Sequence, residues 1–157
     1  MSIAIAPMDD GAAREALCAK ILAALPGWFG DAASREHYAA AARDQATFAA
    51  LCEGEMVGIV CLAQHFATSF EVAVMGVLPA HHRAGHGRAL VETAARFARA
   101  KGGRTLMVKT LGPSRPDRAY DATRAFYGAM GFLPLEEFSG VWRSPSNPCL
   151  VMVKPLG

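Results

Sequence analysis

The sequence predicts a single mixed α/β domain, in which helices flank one mixed sheet. Strand-like segments follow one another as an antiparallel meander in the first half of the chain, and strands alternate with helices after Pro79. The 157 residues are 52% hydrophobic and 19% charged, and this composition excludes an intrinsically disordered chain. Because no linker or composition break divides the chain, residues 1–157 are expected to form one domain.

Hydrophobic periodicity and turn residues define the elements of this domain. Apolar residues at helical spacing predict the first helix, which Pro26 ends, and Ser34 is the expected N-cap of the second. Glu53-Gly54-Glu55 separates two strand-like runs and predicts a hairpin, while Gly102-Gly103 and Gly131 end the later helices. The predicted strands are 2–7, 47–52, 56–66, 70–78, 104–110, 132–138 and 148–154, and the predicted helices are 12–25, 34–43, 87–100 and 120–130.

The net charge is too small for a dedicated nucleic-acid-binding protein. Sixteen Lys and Arg residues against fourteen Asp and Glu residues leave +2, and the sequence pI is near 8.4. The basic residues are nevertheless unevenly placed, because six of them lie between His81 and Arg104, with Glu92 as the only acid there. This cationic segment predicts that the protein binds a specific anion.

Neither export nor membrane insertion is expected. The first ten residues lack the positively charged region and the long apolar run of a signal peptide. The longest apolar stretch, residues 16–29, is interrupted by Lys20, Pro26 and Gly27 and is too short to span a membrane. The four cysteines are scattered without a C-x-x-C pair, which is typical of buried, reduced thiols in a cytoplasmic protein.

A glycine-rich segment joins a predicted strand to a predicted helix at residues 81–88. Gly85 and Gly87 leave room for backbone N–H groups to approach a ligand, and the positive end of the helix dipole favours an anion there. Arg83 and Arg88 can add charge, although an ordinary glycine-rich turn with a solvated basic rim stays open. The segment lacks the Gly-Lys-Ser/Thr end of an NTPase phosphate loop and the acidic partner of a dinucleotide-binding fingerprint.

Two motifs lie in order within residues 70–132. A predicted strand leads into the loop His82-Arg83-Ala84-Gly85-His86-Gly87 and a helix, and a later helix ends in the run Phe126-Tyr127-Gly128-Ala129-Met130-Gly131-Phe132. In both motifs residues 70–132 resemble the core of the GNAT superfamily of acyl-CoA-dependent N-acyltransferases, whose loop has the form (Gln/Arg)-x-x-Gly-x-(Gly/Ala) and whose later helix ends in a Phe-Tyr-x-x-x-Gly-Phe run. Two side chains depart from the pattern: His82 stands where the family has Gln or Arg, and Tyr120 where it usually has Asn.

The resemblance implies the GNAT fold, with an antiparallel N-terminal meander, a splayed pair of parallel strands and flanking helices. It also implies that acetyl-CoA binds there. Gly76 indicates a bulge or a close approach in the strand, and backbone groups of Met75 and Val77 would pair with the pantetheine arm. Tyr120 and Phe126 of the later helix would contact the cofactor. The backbone donors for the pyrophosphate would be Arg83, Ala84, Gly85, His86, Gly87 and Arg88.

The resemblance implies two proton-transfer groups. Glu71 lies on the strand before the loop, at a spacing where some GNAT enzymes carry the glutamate that accepts the amine's proton; an exposed edge-strand carboxylate or an ion pair is the alternative. Tyr127 matches the family tyrosine whose hydroxyl protonates the departing thiolate, with a packed aromatic as the alternative. The amide of Val77 would polarise the thioester carbonyl.

These assignments favour direct transfer of an acetyl group to a primary amine of a small molecule or a protein. No Ser or Cys near the motifs adjoins a plausible base, so no covalent acyl-enzyme is expected. By family analogy, residues 114–118 and 136–142 would flank the acceptor, and the adjacent carboxylates Glu136 and Glu137 would favour a cationic amine.

Several alternatives concern ligands and partners. His81, His82 and His86 lack supporting Cys, Asp or Glu ligands at metal-binding spacing, so no metal is expected. The partners expected are acetyl-CoA and an amine acceptor, with no nucleic acid and no membrane; a homodimer stays open. Two other functions stay open as well: a non-catalytic acyl-CoA-binding module and, more distantly, a phosphate-binding NTPase.

Overall fold

The computed structural model of the protein describes residues 3–157, and it confirms the fold class that the sequence predicts. The predicted start of the first strand at Ser2 lies outside the described residues. The strands and helices are β1 (Ile3–Met8), α1 (Gly11–Ala23), α2 (Ala32–Ala42), β2 (Ala46–Cys52), β3 (Glu55–Phe66), β4 (Ser69–Val77), α3 (His86–Ala100), β5 (Thr105–Leu111), α4 (Arg118–Ala129), β6 (Leu133–Phe138) and β7 (Cys149–Pro155). A 3₁₀ turn, Pro79–His81, precedes α3. Every predicted element is present, with described ends shifted by at most two residues.

The strands form one mixed sheet in the order β1-β2-β3-β4-β5-β7-β6. Neighbouring strands are antiparallel except for β4 and β5, which are parallel. Strand β2 pairs antiparallel with β1 and β3, and strand β7 pairs antiparallel with β5 and β6. The sheet therefore contains both the meander and the parallel pair that the resemblance implies.

The chain divides into two compact units. Unit 1 comprises the described residues up to Ala63 together with Val72–Phe97, and unit 2 comprises Gln64–Glu71 together with Ala98–Gly157. The strand β4 therefore begins in unit 2 and ends in unit 1. No helix within residues 3–157 is both long enough and apolar enough to cross a membrane.

The core of unit 1 is built by α1 and α2 against strands of the meander. Gly76 on β4 belongs to this packing, because a Cβ at that position would lie 2.8 Å from a methyl of Leu25 and 2.9 Å from one of Ile21. The glycine therefore marks a close approach of α1 to the strand. The buried residues of this core are Leu17, Cys18, Ile21, Leu22, Leu25, Ala39, Ala42, Ala49, Ile59, Cys61 and Val74.

Aspartates cap the first two helices. The carboxylate of Asp10 accepts a hydrogen bond from the backbone N–H of Ala13 at 2.8 Å. The prediction that Ser34 caps α2 is wrong, because Asp31 has the extended backbone of a cap and accepts from the N–H of Ser34 at 3.1 Å. The Ser34 hydroxyl donates to the same carboxylate at 2.7 Å, so it supports the cap from inside the first turn.

The β2–β3 hairpin turns through two residues. Glu53 and Gly54 have φ angles of 52° and 84°, and two consecutive left-handed residues make the tight turn whose twist suits antiparallel strands. The predicted three-residue signal is one residue too long, because Glu55 already belongs to β3. The turn leaves Cys52 as the last residue of β2, with its side chain buried.

Unit 2 contains β5, β7 and β6 with α4 packed on β5. Strand β6 lies at the end of the strand order, and all six of its residues are exposed. Asp117 caps α4 by accepting from the N–H of Tyr120 at 3.2 Å. Buried apolar side chains on these elements include Leu106, Val108, Leu111, Tyr127, Met130, Phe132, Leu150 and Met152.

Candidate functional site

The loop between the 3₁₀ turn and α3 carries most of the predicted anion-binding residues. Residues 82–85 are exposed, and two of them have left-handed backbone: Arg83 at φ 62° and Gly85 at φ 92°. Such a conformation is uncommon for arginine and costs on the order of 1–3 kcal/mol. Backbone N–H groups in turns that mix right- and left-handed residues converge on one side and form a concave anion site.

The first turn of α3 extends this concave surface. The N–H of Ala89 donates to the carbonyl of Gly85 at 3.1 Å, so Gly85 stands at the cap of the helix. By helix geometry the N–H groups of His86, Gly87 and Arg88 point out of the helix end. A loop of this kind leading into a helix N-terminus is suited to a phosphate or pyrophosphate group. The Arg88 guanidinium lies 3.8 Å from Glu92, one turn further along α3, in an exposed pair.

His82 ties the start of the loop to the end of β4. Its Nε2–H donates to the carbonyl oxygen of Val77 at 2.6 Å, and the Trp28 ring meets the imidazole edge-on at 5.8 Å. The residue that replaces the family's Gln or Arg is therefore engaged with the main chain. Val77 is buried and Met75 is half-buried. Through its bond to the Val77 carbonyl, His82 orients the Val77–Leu78 peptide at the strand end where the sequence predicts pantetheine contacts.

His86 turns its side chain inward. Its imidazole is 2% exposed, and both ring nitrogens are buried without a hydrogen-bond partner in the described structure. Burial, with a smaller effect of His81, lowers the pKa of His86, so the ring is neutral at pH 7. Only the backbone of His86 can therefore contribute to an anion site in the loop.

Two of the three histidines, His81 and His86, have a cysteine neighbour that the sequence spacing does not indicate. One potential ligand atom each from Cys52, His81 and His86 lie within 4.8 Å of one another. The His81 and His86 rings meet edge-on with centroids 5.6 Å apart. Cys52 is distant in sequence, and it reaches the histidines because the hairpin ends β2 at that residue.

Glu71 lies on β4 within unit 2 and is 8% exposed. Its Oε1 is 2.6 Å from Nε2 of His65, and its Oε2 is 3.7 Å from Nζ of Lys109. Strand β4 stands between β3 and β5 in the sheet, so Glu71 is not an exposed edge-strand carboxylate. It forms an ion pair with Lys109 and a hydrogen bond with His65, and the sequence indicates neither partner.

Two aromatic residues, one on α4 and one after it, flank the Tyr127 ring. Phe126 and Phe132 meet it edge-on with centroid distances of 5.4 and 5.3 Å, and Tyr127 itself is 6% exposed. Burial, with a further contribution from Tyr120, raises the pKa of the Tyr127 phenol above its usual value. The side chain is therefore a well-packed aromatic that keeps its hydroxyl proton at neutral pH. Tyr120 lies two turns earlier on the same helix and close enough to act electrostatically.

The two segments predicted to flank an acceptor meet within unit 2. The backbone N–H of Ser114 donates to Oε1 of Glu137 at 3.1 Å, and the Glu137 carboxylate also lies against Gly112. Glu136 is exposed on the neighbouring position of β6. The pair of carboxylates is thus divided into one that holds a loop and one that faces solvent.

Comparisons with known proteins concern the family and the fold of the chain. The family model described as "Acetyltransferase (GNAT) domain" matches residues 43–134. No curated protein matches the chain. Among solved structures, a GNAT-family protein from Desulfovibrio desulfuricans aligns with a TM-score of 0.80 at 21% identity, covering 99% of this chain and 100% of that chain.

Two further solved structures have similar folds. The ribosomal-protein-S18-alanine N-acetyltransferase of Escherichia coli aligns with a TM-score of 0.77 at 16% identity, covering 99% of this chain and 95% of that one. A GNAT-family acetyltransferase from Elizabethkingia anophelis, solved with acetyl-CoA bound, aligns with a TM-score of 0.71 at 14% identity, covering 98% and 97%. At these identities the likeness is one of fold. Because the family model spans more than half of the sequence and includes both motifs, the chain belongs to the GNAT acetyltransferase family.

Proposed function

We propose that the protein is an N-acetyltransferase that moves an acetyl group from acetyl-CoA directly to a primary amine of a small molecule or a protein. The proposal takes residues 1–157 as one catalytic domain. It rests chiefly on the loop at residues 82–88, whose two left-handed residues and free helix end suit a pyrophosphate. The acetyl-CoA bound to the Elizabethkingia protein supports the same ligand here.

Acetyl-CoA would be held mainly by main-chain groups. The N–H groups from Arg83 to Arg88 bind the pyrophosphate, and the two arginine side chains add charge. Backbone groups of Met75 and Val77 pair with the pantetheine amides, while Tyr120 and Phe126 contact the cofactor from α4. His82 is a positioning residue in this scheme, because its bond to the Val77 carbonyl holds the Val77–Leu78 peptide in place, directly after the Val77 N–H that polarises the thioester.

The reaction needs a base for the amine and an acid for the thiol. An alkylammonium must lose a proton before its nitrogen can attack the thioester carbon, and we assign that proton to Glu71. His65 is 43% exposed and hydrogen-bonded to Glu71, so it can pass the proton to water. As the carbon–sulfur bond breaks, the Tyr127 hydroxyl donates its proton to the thiolate, and solvent later returns a proton to the phenolate.

The acceptor in this proposal is a cationic amine. Glu136 is exposed on β6 and offers an unshielded carboxylate, whereas Glu137 is held by Ser114 and supports the loop before α4. An ammonium group near Glu136 would be attracted before it is deprotonated. This assignment defines the charge of the acceptor.

The cysteines favour both direct transfer and a reducing compartment. All four are buried, unpaired thiols, which is typical of a cytoplasmic protein. Cys52 lies beside two histidines but is 5% exposed, and Cys149 is fully buried with its pKa raised by burial. A nucleophilic thiol must be accessible to the bulky thioester, and neither of these buried thiols is accessible.

Intact-mass analysis tests direct transfer. After incubation with acetyl-CoA and no amine, the protein is expected to keep its mass, because no accessible nucleophile takes up the acetyl group. An increase of one acetyl group that disappears in Cys52→Ala, or in Cys149→Ala, would instead establish an acyl-enzyme. Addition of an active amine provides the control, since it must release CoA thiol without any protein adduct.

Glu71→Gln is expected to lower kcat/KM by about 10²-fold at pH 7, the lower end for a positioned general base, since water can partly replace it. Glutamine keeps the shape and one hydrogen-bond acceptor but takes up no proton. Raising the pH should partly rescue the variant, because more of the amine is then already neutral. Thiol release measured from about pH 6 to 9 with one active amine checks this. Equal profiles for variant and wild type would contradict the assignment.

The ion pair with Lys109 requires a matched control. Glu71→Gln leaves that ammonium without its carboxylate, and this alone could disturb the site. The double variant Glu71→Gln/Lys109→Met removes the uncompensated charge, and we expect it to stay as slow as the single variant. Recovery of activity in the double variant would show that Glu71 serves only to balance Lys109.

CoA binding without thiol release across a panel of amines would favour the non-catalytic module instead.

A further inference from the structure

Three potential metal ligands meet in unit 1, outside the groups assigned to acetyl transfer. Cys52 ends β2, His81 ends the 3₁₀ turn, and the His86 side chain projects inward from the start of α3. One ligand atom from each lies within 4.8 Å of the other two. Within residues 3–157 this is the one group of His, Cys, Asp and Glu side chains with such spacing.

The imidazole nitrogens of His86 lack hydrogen-bond partners in the described structure, and the proposed function supplies none. Both of its nitrogens are buried and lack a hydrogen-bond partner among the described residues, and the residue is 2% exposed. Burying a polar group without a partner is costly, and such groups in folded proteins require an explanation such as an unseen water or ion. A metal ion on one ring nitrogen would supply a partner.

We propose that Cys52, His81 and His86 bind a zinc ion, with a water molecule completing four-coordination. One thiolate and two imidazoles form a donor set that suits zinc, whereas magnesium and calcium prefer oxygen. Tetrahedral zinc with ordinary bond lengths separates its ligand atoms by about 3.3–3.6 Å, so side-chain rotations suffice to close the present spacing. Binding converts the Cys52 thiol to a thiolate and releases its proton to solvent.

The ion would join the two ends of the loop at residues 82–85. His81 precedes that loop and His86 follows it, while Cys52 anchors both to the end of β2. The site therefore lies behind the loop, with its own ligands, and does not use the outward-facing backbone N–H groups. Zinc binding is measured without acetyl-CoA, so the site stands or fails separately from the proposed function.

The test uses the untagged full chain after removal of metals with a chelator. Competition against a chromophoric chelator is expected to show one tightly bound Zn²⁺ per chain. Cys52→Ser and His86→Gln should each weaken it at least about 100-fold, beyond the roughly 10–100-fold that losing a supporting group costs. Cys149→Ala and His37→Asn, which remove a thiol and an imidazole elsewhere, should bind Zn²⁺ as wild type does. Cobalt(II) should give a thiolate charge-transfer band that Cys52→Ser abolishes.

Circular dichroism in metal-free buffer shows whether each variant is folded. His81→Gln changes a half-buried side chain and provides a cluster variant if the buried substitutions do not fold. Substoichiometric Zn²⁺ uptake by the wild type would overturn the proposal. So would unchanged affinity in folded cluster variants, an equal loss in the Cys149 and His37 controls, or a cobalt spectrum without the thiolate band.

Discussion

Gly85→Glu is expected to abolish CoA binding. The position has φ 92°, and the new Cβ would lie 3.2 Å from a methyl of Ile3, so the backbone that presents the loop amides would be strained. The added carboxylate would also occupy the space and the positive potential intended for the pyrophosphate. Calorimetric titration with CoA at low and high salt checks this, and wild-type binding should weaken strongly as salt rises.

Matched variants separate strain from charge. Gly85→Ala adds the same Cβ without the carboxylate, so it should weaken CoA binding much less than Gly85→Glu does. Gly87→Glu places the charge one residue inside α3 and should also abolish binding. Arg83→Gly and Arg83→Ala both remove one charge, but only glycine suits the left-handed backbone, so binding should be weaker in the alanine variant. Near-normal affinity in both glutamate variants would exclude this loop as the pyrophosphate site.

The elements were predictable because each is defined by a local pattern. Alternating apolar residues and the Glu53-Gly54 turn define the hairpin, and glycines end the helices after residues 100 and 129. The cap of α2 was misplaced because both Asp31 and Ser34 are capping residue types, and only the backbone conformation distinguishes them. The parallel pair was implied by the resemblance, since no local pattern specifies which strands become neighbours.

The environment of Glu71 was not predictable from local patterns. A two-residue turn at positions 67 and 68 would place Gln64 opposite Glu71 and His65 opposite Phe70, so the contact of His65 with Glu71 does not follow from the hairpin. Lys109 lies on β5, the parallel neighbour of β4, and is far from Glu71 in the sequence. No local pattern indicates its contact with Glu71. The same holds for the contact of Cys52 with the histidines. Spacing within one segment does not indicate this cluster, because the fold assembles it from β2, the 3₁₀ turn and α3.

Tyr127→Phe is expected to lower kcat by about 10²–10⁴-fold while leaving acetyl-CoA affinity nearly unchanged. Phenylalanine keeps the ring between Phe126 and Phe132, so the packing of α4 is retained, and only the proton for the departing thiolate is lost. The raised pKa of Tyr127 keeps the phenol protonated at neutral pH, as an acid requires. Single-turnover thiol release, which avoids limitation by product release, together with a CoA titration, measures both quantities.

Tyr120→Phe is the matched control, because it removes the other phenol of the same helix. Because Tyr120 is assigned to cofactor contact, this variant should alter acetyl-CoA affinity more than kcat.

A stability measurement gives an independent check on the buried phenol of Tyr127. Since the folded pKa of Tyr127 lies above the unfolded value of 10.0, its contribution to the free energy of unfolding is complete below pH 10 and declines as the pH rises further. Tyr127→Phe should remove that alkaline decline. If Tyr127→Phe removes the alkaline decline while its kcat stays at the wild-type value, Tyr127 serves packing alone and another group must protonate the thiolate.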